Sequence, residues 1–253
     1  MKRRSFIKIL SFAVSSLLLT AIDYALYLYG RKGREAENLP PPLFRLFKDR
    51  LSDIRPPGAV YENEFKAKCI GCSVCINICK NLGYKSLSLK VGLSDFGTPV
   101  VDDMRNHPCT LCMECVKVCP TGALEKVHKE RVKMGIALID FELCLGWNGD
   151  VCLSCSKACP FGASVFEFYN SDWGNQPYIN ENCKGCGLCV KYCPVGGSAI
   201  RVVRIDDYEK VKSKYLSEFK LLLGMEHAKR YELVYSNIPK IMERGKIYDR
   251  EYQ

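Results

Sequence analysis

Few of the residues on which hydrolytic and nucleotide-binding sites are built occur in this sequence. Only three histidines are found among 253 residues, His107, His128 and His227, and none has a nucleophile or a second metal ligand beside it. There is no glycine-rich loop of the kind that binds phosphate, and no flavin site is evident. These absences argue against a hydrolase or a nucleotide-dependent enzyme, and we expect the chain to hold no substrate.

Acidic residues are also outnumbered. The sequence has 28 Asp and Glu against 37 Lys and Arg, which gives a formal net charge of +9. Such an excess can indicate a nucleic-acid partner. However, the sequence shows neither a basic stripe interleaved with aromatic residues nor a nucleic-acid-binding module. We therefore predict no nucleic-acid partner.

Cysteine is absent from both ends of the chain and concentrated in the middle. All 16 cysteines fall in four groups that begin at positions 69, 109, 144 and 183, so a unit of about 35 to 40 residues is repeated. Groups one, two and four follow the pattern C-x2-C-x2-C-x3-C, whereas the first gap of group three is seven residues long. The groups are Cys69, Cys72, Cys75, Cys79; Cys109, Cys112, Cys115, Cys119; Cys144, Cys152, Cys155, Cys159; and Cys183, Cys186, Cys189, Cys193.

This spacing is typical of bacterial ferredoxins, in which three close cysteines bind one [4Fe–4S] cube and the fourth binds a second cube. Pro120, Pro160 and Pro194 follow the fourth cysteine of three groups and suit an early helical position.

Stretches rich in β-forming residues flank the groups and predict strands, among them Ile136–Ile139 before group three and Pro177–Ile179 before group four. Cys144 follows the first of these strands, as the first cysteines of groups two and four follow theirs, which favours it as a ligand despite the long gap. We predict an α+β fold of two ferredoxin-like dicluster modules, with all sixteen cysteines as iron ligands of four [4Fe–4S] clusters.

Two other uses of these cysteines are open. Zinc sites usually combine two C-x2-C pairs across a longer loop, and four cysteines within eleven positions fit that arrangement poorly. A disulfide framework is permitted by the even number of cysteines, but disulfides pin distant strands rather than gathering neighbouring thiols. The cluster interpretation also explains the basic excess, because four oxidised cubes with their thiolates carry about −8 in total.

The amino terminus resembles a bacterial twin-arginine export signal. Arg3 and Arg4 precede an apolar run of 21 residues, Ile9–Tyr29, in which Asp23 is the only charge. Such a helix is about 30 Å long, which matches the hydrocarbon core of a bilayer. No cleavage site of small residues is evident after the run. We predict that residues 1–35 are an uncleaved anchor that holds the protein on the periplasmic face of the inner membrane; a chance Arg-Arg before an ordinary membrane helix is the alternative.

The remaining boundaries follow from proline and hydrophobic periodicity. Proline clusters mark residues 36–68 as a linker between membrane and globule. Residues 69–205 form the predicted four-cluster domain. Residues 206–253 are predicted to be a C-terminal helical extension that packs on the core, because apolar residues recur there at helical spacing. A helix that docks a partner is the alternative for this extension.

Several of these features together resemble the NapG/MauM family of ferredoxin-type proteins. They are the twin-arginine start, the segment Arg55-Pro56-Pro57-Gly58-Ala59, the residues Phe96-Gly97-Thr98-Pro99 and the long gap after Cys144. The resemblance implies electron relay from membrane quinol, through a NapH-like membrane-bound iron–sulfur partner, towards a periplasmic reductase such as nitrate reductase. A MauM-like maturation factor and an iron–sulfur subunit of a different molybdenum oxidoreductase are the alternatives.

The resemblance also bears on which groups share clusters. In related four-cluster subunits of molybdenum oxidoreductases, group one pairs with group four and group two with group three. This nested pairing would place Cys193 with the first three cysteines of group one, and Cys119 with those of group three. Sequential pairing, one with two and three with four, is the alternative, and spacing alone does not exclude it.

Overall fold

The computed structural model describes residues 53–90, 97–171, 174–196, 198–226 and 229, all within one compact unit. The predicted signal and anchor at residues 1–35, the linker up to residue 52 and most of the C-terminal extension lie outside these residues. The linker prediction is wrong for residues 54–68, which belong to the folded domain: Ile54 and Phe65 are buried, and Ala59 forms a bridge with Leu124. Among the helices described, none combines the length and the apolar character needed to cross a bilayer.

The first half of the described chain, here called module one, contains cysteine groups one and two. Its elements are α1 (Glu62–Lys68), α2 (Val74–Asn81), β1 (Ser88–Leu89), β2 (Pro99–Val100) and α3 (Glu114–Lys117). Strands β1 and β2 pair antiparallel, with Ser88 opposite Val100. A bridge between Ala59 and Leu124 joins the segment before group one to the segment after group two.

Module two contains groups three and four and repeats this arrangement. Its elements are β3 (Ile136–Ile139), α4 (Ser154–Ala158), β4 (Phe166–Ser171), β5 (Gly174–Ile179), α5 (Leu188–Lys191) and β6 (Ile200–Val203). Strand β3 pairs antiparallel with β6, and β4 with β5. The strand before group three therefore lies beside the strand after group four, as in module one. The described chain consists of two copies of one α+β unit, as the cysteine repeat predicts.

Three of the cysteine loops enter their helices through a left-handed residue. Ser73, Met113 and Gly187 precede α2, α3 and α5 with φ of 59°, 63° and 83°. This conformation is unfavourable for Ser and Met, so contacts around the loop must hold it. The turn places the third cysteine of each group in the first helical turn. The residue before helix α4 is not left-handed, since Leu153 has a φ of −119°. Helix α4 belongs to group three, the group with the long gap.

A long C-terminal helix, α6 (Ile205–Leu223), covers module two. Tyr215 and Phe219 are buried on one face of α6, four residues apart. The Phe219 ring lies 5.8 Å from the ring of Trp147, and the Ile139 amide donates a hydrogen bond to the Tyr215 hydroxyl at 3.2 Å. The described part of the extension therefore packs on the core, which was the first of its two predicted roles.

Candidate iron–sulfur centres

Four sites are formed, each by three cysteines of one group and the fourth cysteine of the neighbouring group. Three of them are cavities lined by their cysteines, and the fourth is recognised from the mutual interactions of its thiols. We name them site A (Cys69, Cys72, Cys75, Cys119), site B (Cys79, Cys109, Cys112, Cys115), site C (Cys159, Cys183, Cys186, Cys189) and site D (Cys144, Cys152, Cys155, Cys193).

The nested pairing, which related four-cluster subunits of molybdenum oxidoreductases imply, is wrong for this structure. Cys119 of group two, and not Cys193 of group four, completes site A. Cys193 lies instead with Cys144 and Cys155 of group three. The reason is the antiparallel strand pairing inside each module, which turns the end of each cysteine helix towards the loop of the other group in that module. The structure therefore has the sequential pairing, A with B and C with D.

The space and the donor set of these sites fit a cube. At sites A, B and C about 360, 330 and 340 Å³ beside the cysteines is free of protein atoms and partly open to solvent. A [4Fe–4S] cluster bonds each of four thiolates to a different iron and so needs such a space. A single zinc ion needs its four ligands within about 2.3 Å, and among the described residues no His, Cys, Asp and Glu cluster is gathered so closely. None of the sixteen cysteines is joined in a disulfide in this structure.

Burial makes these thiols poor acids. It raises the pKa of Cys75 and Cys186 to about 11, and that of Cys109, Cys144 and Cys155 to about 12. Neighbouring cysteines add to the rise, because thiolates close together repel one another. Four thiolates can therefore share one site only when a cation neutralises them, and iron binding must displace their protons.

Backbone amides face some of the sulfurs and favour their charged form. The amides of Ala137 and Gly185 each donate to Cys183 Sγ at 3.4 Å. At Cys119 burial alone would raise the pKa, but hydrogen bonds from the backbone that follows, including Leu124, outweigh it, and the pKa lies below its usual value. Such donors stabilise bound thiolate, and hydrogen bonds to cluster sulfurs also tune the reduction potential.

The long gap in group three still brings its first cysteine to a site. Cys144 is followed by a 3-10 turn, Leu145–Trp147. Asn148 fixes this turn by donating from Nδ2 to the Cys144 carbonyl at 2.9 Å, and Trp147 donates from Nε1 to the Pro177 carbonyl at 2.9 Å. The loop is thereby held against β5, with Cys144 beside the other thiols of site D. Trp147 is a packed core residue, and the role of Asn148 was missed at the sequence level.

Within each module the two sites are joined through helices. Cys75 and Cys79 lie four residues apart on α2 and belong to sites A and B, and α4 carries Cys155 of site D close before Cys159 of site C. Four residues correspond to about 6 Å along a helix, so the paired sites are near neighbours. Between the modules, the Cys109 amide of site B donates to the Cys186 carbonyl of site C at 2.9 Å.

Comparisons with known proteins support an iron–sulfur assignment of these sites. The 4Fe–4S dicluster domain matches residues 68–123 and 108–163, and the 4Fe–4S binding domain matches residues 177–197. Ferredoxin-type protein NapG of Escherichia coli K12 is 37% identical over 163 residues, covering 59% of this chain and 70% of that protein. Methylamine utilization ferredoxin-type protein MauM of Methylobacillus flagellatus is 32% identical over 160 residues, covering 59% and 68%. The chain belongs to the NapG/MauM family.

Membership of the NapG/MauM family identifies an iron–sulfur, ferredoxin-type electron-transfer protein. Ferredoxin-type protein NapF of Escherichia coli K12 is a further relative, 32% identical over 143 residues that cover 56% of this chain and 80% of that protein. The dicluster match at residues 108–163 spans groups two and three. Those groups lie in different modules of the structure, so the match follows the repeated spacing and not the pairing of the sites.

Proposed function

We propose that this NapG/MauM-family protein holds four [4Fe–4S] clusters and relays electrons from membrane quinol, through a NapH-like membrane partner, to a periplasmic reductase. The observation that carries this proposal is the continuity of the sites. Helix α2 joins A to B, the contact between Cys109 and Cys186 joins B to C, and α4 joins C to D. Each cluster supplies reversible one-electron transfer when bound.

The residues of the chain bind, neutralise and shield these groups. Three cysteines of site C are buried, whereas Cys72 of site A and Cys112 of site B are exposed. Apolar surroundings limit the access of water, which together with hydrogen bonding to sulfur sets the potential. The exposed edge at Cys72 leaves site A within reach of a redox partner, and Ile70 beside it is 70% exposed.

The cellular setting is part of the proposal. Arg3 and Arg4 before the apolar run support export by the twin-arginine route and an uncleaved anchor facing the periplasm. The similarity to NapG supports a place in a nitrate-reducing system. A molybdenum oxidoreductase of another kind has less support, because the nested pairing that connected the chain to such subunits is not the one found.

A maturation role is the second candidate, favoured by the similarity to MauM proteins, one of which, from Methylorubrum extorquens, is 35% identical over 168 residues. In that role the protein would act during assembly of another redox protein. It would not be needed once that protein is complete.

Deletion of the gene separates the two roles. For a relay, we expect quinol-dependent nitrate reduction to be lost, while the periplasmic reductase keeps its cofactors and its activity with an artificial electron donor. Nitrate reduction should return on expression of the full chain. Loss of the reductase's own cofactors in the deletion strain would contradict the relay and favour the maturation role.

A further inference from the structure

The two modules meet through the cysteine loops of sites B and C. The Cys109 amide of module one donates to the Cys186 carbonyl of module two at 2.9 Å. The thiol of Cys109 also interacts with that of Cys186. Ligand-bearing residues of the two modules are thus joined backbone to backbone, with no residue between them.

A short segment of module one, residues 104–106, holds this contact from one side. Arg105 donates from Nη1 to the carbonyls of Val190 and Cys193, at 2.9 and 2.8 Å. Lys191 of module two donates in return from Nζ to the Asn106 carbonyl at 3.1 Å. Both modules therefore contribute a donor to the same small interface.

The close approach depends on a glycine. Gly187, the residue after Cys186, has a φ of +83°. A Cβ at Gly187 would lie 2.7 Å from Sδ of Met104, which is itself buried, so only glycine leaves room for the Met104 side chain. Met104 and Arg105 thus pack and hydrogen-bond onto the segment that carries the ligands of site C.

Resting on the proposed relay, we propose that electrons cross between the modules at sites B and C, and that Arg105 is the positioning residue for this crossing. Val190 and Cys193 present carbonyls at the end of α5, where helical carbonyls lack internal partners and a cation is favoured. The Arg105 guanidinium supplies this cation and donates to both carbonyls. Through Cys193 it also ties module one to a ligand of site D.

Hydrogen exchange and magnetic resonance on the full-length holoprotein test the inference. In Arg105→Gln we expect exchange of the Cys109 amide to be about tenfold faster, because two charge-assisted hydrogen bonds across the junction are lost. The magnetic interaction between the reduced clusters of sites B and C should weaken, with iron content unchanged. Arg131→Gln, the same change at an exposed arginine outside the junction, should match the wild type in all three measurements.

Unchanged exchange at Cys109 and an unchanged magnetic interaction in Arg105→Gln would overturn the positioning role. If Arg105→Gln fails to load iron, Lys191→Gln tests the same interface, because Lys191 donates to the Asn106 carbonyl from module two. Faster hydrogen exchange of the Cys109 amide in Lys191→Gln, by less than tenfold, would support the inference. Unchanged exchange of that amide would overturn it. The iron content of the wild type tests the proposed relay separately. Hydrogen exchange of the Cys109 amide reports on the contact between the modules whether or not the relay is correct.

Discussion

Removing Cys69 and Cys119 together is expected to destroy one cluster and leave three intact. The two thiols lie in the same site although they belong to different groups. A cube that loses two of its four ligands is lost entirely, so the double variant Cys69→Ala/Cys119→Ala should retain about twelve iron atoms. Iron analysis and electron paramagnetic resonance under anaerobic conditions measure both the number and the type of the remaining clusters.

The matched control combines the first cysteine of group one with the fourth of group four. The structure places Cys69 in site A and Cys193 in site D, so Cys69→Ala/Cys193→Ala should damage two clusters. Nested pairing predicts the opposite outcome for the two double variants. Two damaged clusters in Cys69→Ala/Cys119→Ala and one in the control would therefore contradict the pairing.

Replacing Gly146 by alanine is expected to empty site D selectively. A Cβ on Gly146 would lie 2.6 Å from the backbone oxygen of Asn175 and 3.0 Å from Cδ of Pro177. Both atoms belong to β5, which is paired with β4 and cannot withdraw cheaply. The loop must move instead, and Cys144 moves with it. We expect Gly146→Ala to hold about twelve iron atoms instead of sixteen, measured on anaerobically purified protein.

Gly224→Ala is the control for this change. The nearest atom to a Cβ at Gly224 lies 3.4 Å away, an ordinary contact, and the residue is outside all four sites. The iron content of Gly224→Ala should equal that of the wild type. A Gly146→Ala protein with the full iron content would show that Cys144 does not depend on this loop for its place in site D.

The repeat made much of the fold predictable. The stretch predicted as a strand before group three coincides with β3, Ile136–Ile139, because four consecutive apolar residues fit a strand buried on both faces. For other strands the sequence predicted the position but not the ends. Pro177–Ile179 proved to be the end of β5, which begins at Gly174 among polar residues that carry no periodic signal.

The pairing of the groups could not be predicted from spacing. Three groups have the same spacing, so each fourth cysteine could reach either partner equally well on local grounds. The pairing of the groups depends on which strands pair. Strand pairing depends on contacts between residues that are distant in sequence, such as Ala59 and Leu124. Arg105 was missed for the same reason, because its acceptors lie 85 and 88 residues further along the chain.

For group three, the group with the long gap, the sequence did predict that the first cysteine joins a site. Its seven-residue spacing departs from the ferredoxin pattern, yet Cys144 was predicted as a ligand from its position after a strand. The structure places it beside Cys155 and Cys193. The position of a cysteine relative to its strand was thus more informative than its distance from the next cysteine.

Iron and acid-labile sulfide per chain, determined on protein purified without air, test the central claim that four cysteine-lined sites each hold one cube. We expect about sixteen of each, together with brown colour and reversible reduction. Fewer than about twelve iron atoms would remove at least one site. Colourless protein containing zinc and no sulfide would contradict the cluster interpretation of all four.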